Sequence, residues 1–172
     1  MDSEISSIEA KKSLGQNFLT SAVVPGWMCD AASIEVGDIV VEIGPGTGAL
    51  TAVLLERGAI VHAIETDARA LLILKETFAE ALASGRLLLT HADARDINIG
   101  DWLATLGTYK IVANIPYYLS GFLLRQCLEA ANPPQTLVFL MQKEVVERIT
   151  RDKKASLLSL SVAVYGQPRY VK

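Results

Sequence analysis

The sequence predicts an α/β domain on a doubly wound, mostly parallel sheet, and three observations lead there. Five short apolar runs, "DIVVEIG", "AIVHAIE", "RLLLTHAD", "YKIVANI" and "TLVFLMQ", alternate with charged, helix-favouring segments. None of the five keeps the strict in-out alternation of a half-exposed strand, so both faces of each are covered. At 172 residues, 51% of them hydrophobic, the chain can bury roughly two-thirds of the surface that its unfolded form exposes. Mean hydropathy is +0.32, yet no apolar stretch approaches the roughly 18 residues of a membrane span.

Taken in order, "MDSEISSIEAKKSLGQ" (1–16) is polar and partly acidic, unlike a signal or transit peptide, and reads as a flexible arm. Residues 20–32 read as a helix that Pro25 and Gly26 interrupt. The first strand, "DIVVEIG", passes through "GPGTG" into the helix "GALTAVLLERG". The strand "AIVHAIE" leads to one long helix, "DARALLILKETFAEALASG", and then to "RLLLTHAD". After an irregular stretch holding Trp102 come "YKIVANI", a helix near 120–130, "TLVFLMQ" and a helix near 143–150. The segment "ASLLSLSVAVYG" fits helix and strand about equally. Strands and helices in this order close as right-handed crossovers, and ligands of such sheets sit outside the carboxyl ends of the strands.

The net charge of -3 gives the domain no overall cationic field, so contact with a polyanion must be local. Lys11, Lys12, Arg148, Arg151, Lys153 and Lys154 are candidates for it, and solvated helix ends are an equal reading of them. Cys29 and Cys127 have no second ligand at metal spacing and read as reduced structural thiols, which suits a cytoplasmic location. His62 and His91 lie along strands without matched partners. No metal site is expected.

The strand ends carry the chemistry. Gly44, Gly46 and Gly48 let the backbone turn sharply and approach a ligand. Glu65 ends the second strand about 20 residues on, where an acid can take the hydroxyls of a ribose. Asp93 holds the equivalent place on the third strand and can accept from an exocyclic adenine amine, although alone it is better read as a cap or turn residue. Up to this point a nicotinamide dinucleotide fits as well. The fourth strand ends in "NIPY": Asn114 offers an amide oxygen to an amine, Pro116 stiffens the turn, and Tyr117 offers a face on which a base can stack. An adenine amine is a poor nucleophile because its lone pair is delocalised into the ring. Two acceptors on its hydrogens would turn it toward tetrahedral geometry, and proximity to an electrophilic methyl would do the rest.

These residues resemble the S-adenosylmethionine-dependent amino methyltransferases, and more closely the ribosomal RNA adenine dimethyltransferases of the bacterial kasugamycin-sensitivity type. The likeness runs from "KKSLGQNFL" through "VEIGPGTGALT", Glu65, "HADA" and "NIPYYLS" to "MQKEVVERI" and on to the last residue. It implies a Rossmann-like class I methyltransferase domain over 17–172 that binds S-adenosylmethionine. By resemblance Asn17, Leu19 and Gly46 contact the cofactor, Gly44 its methionine portion, Glu65 the ribose and Asp93 the adenine. Asn114 would bridge cofactor and target amine, and Tyr117 would stack on the target base. The implied reaction is dimethylation of two adjacent adenosines in a hairpin near the 3' end of small-subunit ribosomal RNA, on the assembling subunit, by a monomer without membrane attachment. "NIPY" in place of the commoner "NLPY" is shared with methylases of large-subunit RNA. The proline-rich segment, final strand and helical carboxyl-terminal domain expected of the family are absent from these 172 residues, so the chain reads as a truncated catalytic domain. Methylation of large-subunit RNA or DNA, and a mainly noncatalytic role in subunit assembly, stay open as alternatives.

Overall fold

A computed structural model describes residues 19, 21–97, 102, 107–151 and 157–171. The sheet has five strands, β1 (Ile39–Ile43), β2 (Ile60–Glu65), β3 (Leu87–His91), β4 (Lys110–Asn114) and β5 (Thr136–Leu140). All pair in parallel, in the order β3-β2-β1-β4-β5. The chain thus winds outward from β1 to one edge, crosses back, and winds outward from β4 to the other. The reversal lies between β1 and β4, which is where doubly wound sheets bind ligands.

The helices form from the intervening segments: α1 (Val23–Ala31), α2 (Ala49–Glu56), α3 (Ala68–Thr77), α4 (Ala79–Ala83), α5 (Ser120–Leu128), α6 (Lys143–Thr150) and α7 (Leu157–Tyr165). Successive residues of the strands serve opposite cores, as a pleated sheet requires. Val40, Val61, Leu87 and Val112 pack with Met28, Cys29, Leu50 and Leu54 of α1 and α2. Val41, Ile43, Ile64, Ile111 and Ala113 pack with Leu123 and Cys127 of α5. Both cysteines are free and buried, and burial pushes their thiols up to about 11 for Cys29 and about 12 for Cys127. Among the described residues no helix is long and apolar enough to cross a membrane.

Three elements differ in detail from the sequence reading. The first helix begins at Val23, which places Pro25 in the first turn, where a missing amide hydrogen costs nothing. The segment expected as one helix over 67–85 is broken at Phe78, whose φ of -113° and ψ of 30° separate α3 from α4. The break lets the Phe78 ring lie against the glycine loop: a Cβ on Gly48 would come within 2.5 Å of Phe78 Cε2 and 2.9 Å of Leu74 Cδ2. The ambiguous 155–166 segment is helical over Leu157–Tyr165.

Gly48 also has φ +90°, so Gly48→Ala combines a left-handed backbone with an overfilled contact. Each costs about 1–2 kcal/mol or somewhat more, and a loss of about 2–4 kcal/mol is expected in denaturant unfolding. Gly44→Ala is the control, since φ there is +69° but a Cβ would meet nothing within 4 Å. Equal losses for the two variants would show that the Phe78 contact contributes nothing.

At the amino edge of the sheet, opposite the carboxyl ends of the strands, Lys110 is buried at the start of β4. Its Nζ donates to Asp38 Oδ2 and to the Ser33 carbonyl, each at 2.7 Å. Two oxygen partners replace the hydration that burial takes from the ammonium, and the pair ties β4 to the turn that introduces β1.

Candidate active site

Parallel pairing in register aligns the carboxyl ends of the strands. Glu65 pairs with His91, Ile43 with Ile64, and Asn114 with Leu140. The turns leaving the strands therefore meet along one edge. A cleft there is lined by Leu19, by Glu42 to Thr47, by Glu65, by Asp93 to Arg95, and by Asn114 to Pro116 with Tyr118 and Leu119. Of the residues expected from sequence, Leu19, Gly44, Gly46, Glu65, Asp93 and Asn114 border this one space. Asn17, Lys11, Lys12, Lys153 and Lys154, and the arm 1–16, lie outside the described residues. Tyr117 opens a 3-10 turn, Tyr117–Leu119, and its side chain also lies outside what is described.

The glycine loop is held from two sides. Gly44 N donates to the Ile64 carbonyl at 2.9 Å, which extends the β1–β2 pairing one step into the loop. Gly46 N donates to Glu65 Oε2 at 3.0 Å, while Glu65 Oε1 accepts from the amides of Thr66 and Asp67, both at 2.8 Å. Glu65 is only 4% exposed. Its carboxylate thus organises the turns after both β1 and β2, and of its roughly four acceptor positions one, on Oε2, is left for a ligand. The loop faces open space at Gly44, where a side chain would intrude on the cleft.

Asp93 is occupied differently. Arg95 donates to it from its backbone amide (2.9 Å), from Nε to both oxygens (3.0 and 3.1 Å) and from Nη2 (2.6 Å). The guanidinium holds the Asp93 carboxyl below the usual carboxylate range. The same Asp-Ala-Arg sequence comes after β2, where Arg69 grips Asp67 in like fashion and Asp67 caps α3. The Asp67 side chain is 5% exposed and that of Asp93 is 22% exposed, so the second copy alone borders the cleft.

Glu42 is a functional candidate that the sequence reading does not include. It sits within the central strand, 1% exposed, lines the cleft, and accepts from Thr51 Oγ1 at 2.7 Å. The sequence does carry a signal for it: a carboxylate inside "IVVEI", a strand buried on both faces, needs a reason to be there. Burial, reinforced by the nearby Glu65 charge, pushes its carboxyl from the ordinary 4.5 up to about 8, against the pull of the Thr51 hydroxyl. The folded chain therefore holds a proton there that the unfolded chain releases between about pH 4.5 and 8. Stability falls as pH rises through that window and levels off above it. In paired denaturant midpoints at about pH 5, 7 and 9, Glu42→Gln is expected to gain a few kcal/mol on the parent as pH rises. A pH-independent difference would contradict this assignment.

Two carboxylates, Glu65 and Asp93, against one cation, Arg95, with Glu42 held as a neutral acid behind them, leave the described lining acidic. That donor set suits a ligand bearing positive charge, hydroxyls and an amine, and it disfavours the two phosphates of a dinucleotide.

A doubly wound parallel sheet with a glycine loop after β1, acidic residues at the end of β2 and just beyond β3, and the Asn114–Pro116 corner after β4 is the arrangement of a class I methyltransferase domain. Two solved structures share the fold at a TM-score of 0.70. One is the 23S rRNA methyltransferase ErmE, 25% identical, with 84% of this chain and 56% of that one covered. The other is a dimethyladenosine transferase from Plasmodium falciparum, 28% identical, with 86% and 52% covered. The model of the ribosomal RNA adenine dimethylase family matches residues 7–172, and the chain belongs to that family. Relatives named ribosomal RNA small subunit methyltransferase A are 40% identical over 166 residues in Dehalococcoides mccartyi (strain CBDB1) and 35% identical over 164 residues in Clostridium botulinum (strain Okra / Type B1). The matches cover 96% and 94% of this chain, which spans 56% and 58% of the length of these two relatives.

Proposed function

We propose that residues 17–172 form the catalytic domain of an enzyme that binds S-adenosylmethionine in this cleft. On this reading it dimethylates the exocyclic amines of two adjacent adenosines in a hairpin near the 3' end of small-subunit ribosomal RNA. The observation that carries the reading is the convergence of Gly44, Glu65, Asp93 and Asn114 on one acidic cleft at the reversal of strand order. S-adenosylmethionine, when bound, supplies a methyl group made electrophilic by the positive charge on its sulfur. Leu19 and the Gly44–Gly46 loop would hold the methionine side, with Asn17 as a further contact, Glu65 would accept from a ribose hydroxyl, and Asp93 would accept from the adenine amine of the cofactor. Asn114 Oδ1 would accept one hydrogen of the target amine and a backbone carbonyl of the 114–116 turn the other, directing the nitrogen lone pair at the methyl. The rigidity of Pro116 keeps that turn in place, and Tyr117 would stack on the base. The target must leave its own stack to enter, which favours unpaired loop adenosines.

The reading places the protein in the cytoplasm as a monomer acting on the assembling small subunit. Titration of the chain with S-adenosylmethionine and with a nicotinamide dinucleotide tests the cofactor: selective binding of the first is expected, and preference for the second rejects the site. The substrate is tested by offering immature small subunits, large-subunit RNA and DNA to the full-length enzyme and locating dimethyladenosine by mass spectrometry. The fold likeness to a 23S rRNA methyltransferase makes large-subunit RNA the second reading, and label found there alone would install it.

A further inference from the structure

If the cleft binds S-adenosylmethionine as proposed, Asp93 receives the adenine amine of the cofactor, yet both its oxygens are already engaged by Arg95. A carboxylate offers about four lone-pair sites, and Arg95 alone makes four contacts with this one, between 2.6 and 3.1 Å. The side-chain grip is weakly held, because Arg95 is 54% exposed and competes with water. Arg95 is also the only cation among the described residues lining the cleft, which Tyr118, next to the Asn114–Tyr117 corner, lines as well. At Asp67 the identical motif has a capping task and no cleft to serve.

We propose that Arg95 couples the two substrates, an inference that rests on the cofactor site proposed for this cleft. Before the cofactor binds it occupies the place of the adenine amine on Asp93. When the cofactor's adenosine claims Asp93, the guanidinium is released toward the cleft mouth and binds a phosphate of the RNA that carries the target base. An acidic domain needs such a local cation to hold RNA, and exposing it only when the cofactor is bound makes each ligand strengthen the other by the same factor.

The test uses S-adenosylhomocysteine, which cannot react, and an RNA hairpin with two adjacent loop adenosines, titrated separately and together by calorimetry and fluorescence anisotropy. Arg95→Ala is expected to bind S-adenosylhomocysteine about two- to fivefold more tightly, the scale of an exposed charge pair removed. With S-adenosylhomocysteine bound, its hairpin affinity should fall, with a salt slope smaller by about 0.7, and the mutual strengthening seen in the parent should vanish. Arg95→Lys keeps the charge but not the fork, so it should share the tighter cofactor binding and retain the hairpin. Weaker or unchanged cofactor binding in Arg95→Ala overturns the proposal, as does a parent chain that, with S-adenosylhomocysteine bound, shows no hairpin binding or the same salt slope as the variant. Asp93→Asn separates this from failure of the underlying site. If that variant binds S-adenosylhomocysteine as the parent does, the adenine assignment itself is wrong. If it binds weakly while Arg95→Ala is unaltered, the site stands and the coupling falls.

Discussion

In the full-length enzyme, Asn114→Ala is expected to lower kcat by about 10²–10³-fold, the effect of losing one well-placed polar partner at a reacting centre, while cofactor affinity changes only a fewfold. The residue closes β4, in register with Leu140, and the Ile115 amide donates to the Leu140 carbonyl at 3.2 Å. The side chain is therefore presented from a paired strand, and its removal takes away an acceptor without releasing the backbone that aims it. Measuring kcat separately from cofactor binding decides the role. Undiminished turnover would exclude Asn114 from the chemistry, and a loss confined to cofactor affinity would make it a binding residue only.

Glu65→Ala is expected to have the largest effect on the cleft itself. Three backbone amides, those of Gly46, Thr66 and Asp67, lose their acceptor together. Leaving buried donors unpaired costs about 1–3 kcal/mol each, less whatever water recovers, so a thermal-unfolding loss of about 2–4 kcal/mol is expected. Because the glycine loop loses the anchor on its Gly46 side, S-adenosylmethionine affinity should fall at least about 100-fold, more than one hydroxyl contact accounts for. Glu65→Gln should lie between, since it keeps one acceptor oxygen and sets an NH₂ donor against the amides. An alanine variant that melts and binds like the parent would show that the loop stands without this carboxylate.

Much of this is legible in the sequence, for a physical reason. Strands buried on both faces must be written as continuous apolar runs, so all five are visible, and parallel winding brings the turns beyond them to one edge. Glu65 and Asp93 stand out as acids at matching strand ends. The features that stay hidden depend on partners distant in sequence. The break at Phe78 exists because Gly48, thirty residues earlier, leaves a hollow for the ring. The dual role of Glu65 as loop anchor depends on where Gly46 folds back, 19 residues away. Arg95 is readable only as a surface charge, since nothing in "HADAR" says that its side chain turns back on Asp93, and the copy after β2 does the same in a different setting. Glu42 shows in the sequence only as an acid out of place in a buried strand, and that it borders the cleft emerges only from the fold.

The neighbour relations within the sheet also bear on how the protein is made. The central pair joins Val40 to Lys110, about 70 residues apart along the chain, so the two halves of the cleft stay strangers until β4 has followed β1 out of the ribosome. Such distant pairing is slow to form and leaves strand edges open meanwhile. Acquisition of cofactor binding during synthesis would accordingly mark the moment of closure, and a nascent chain arrested before residue 114 should possess the glycine loop yet hold no ligand.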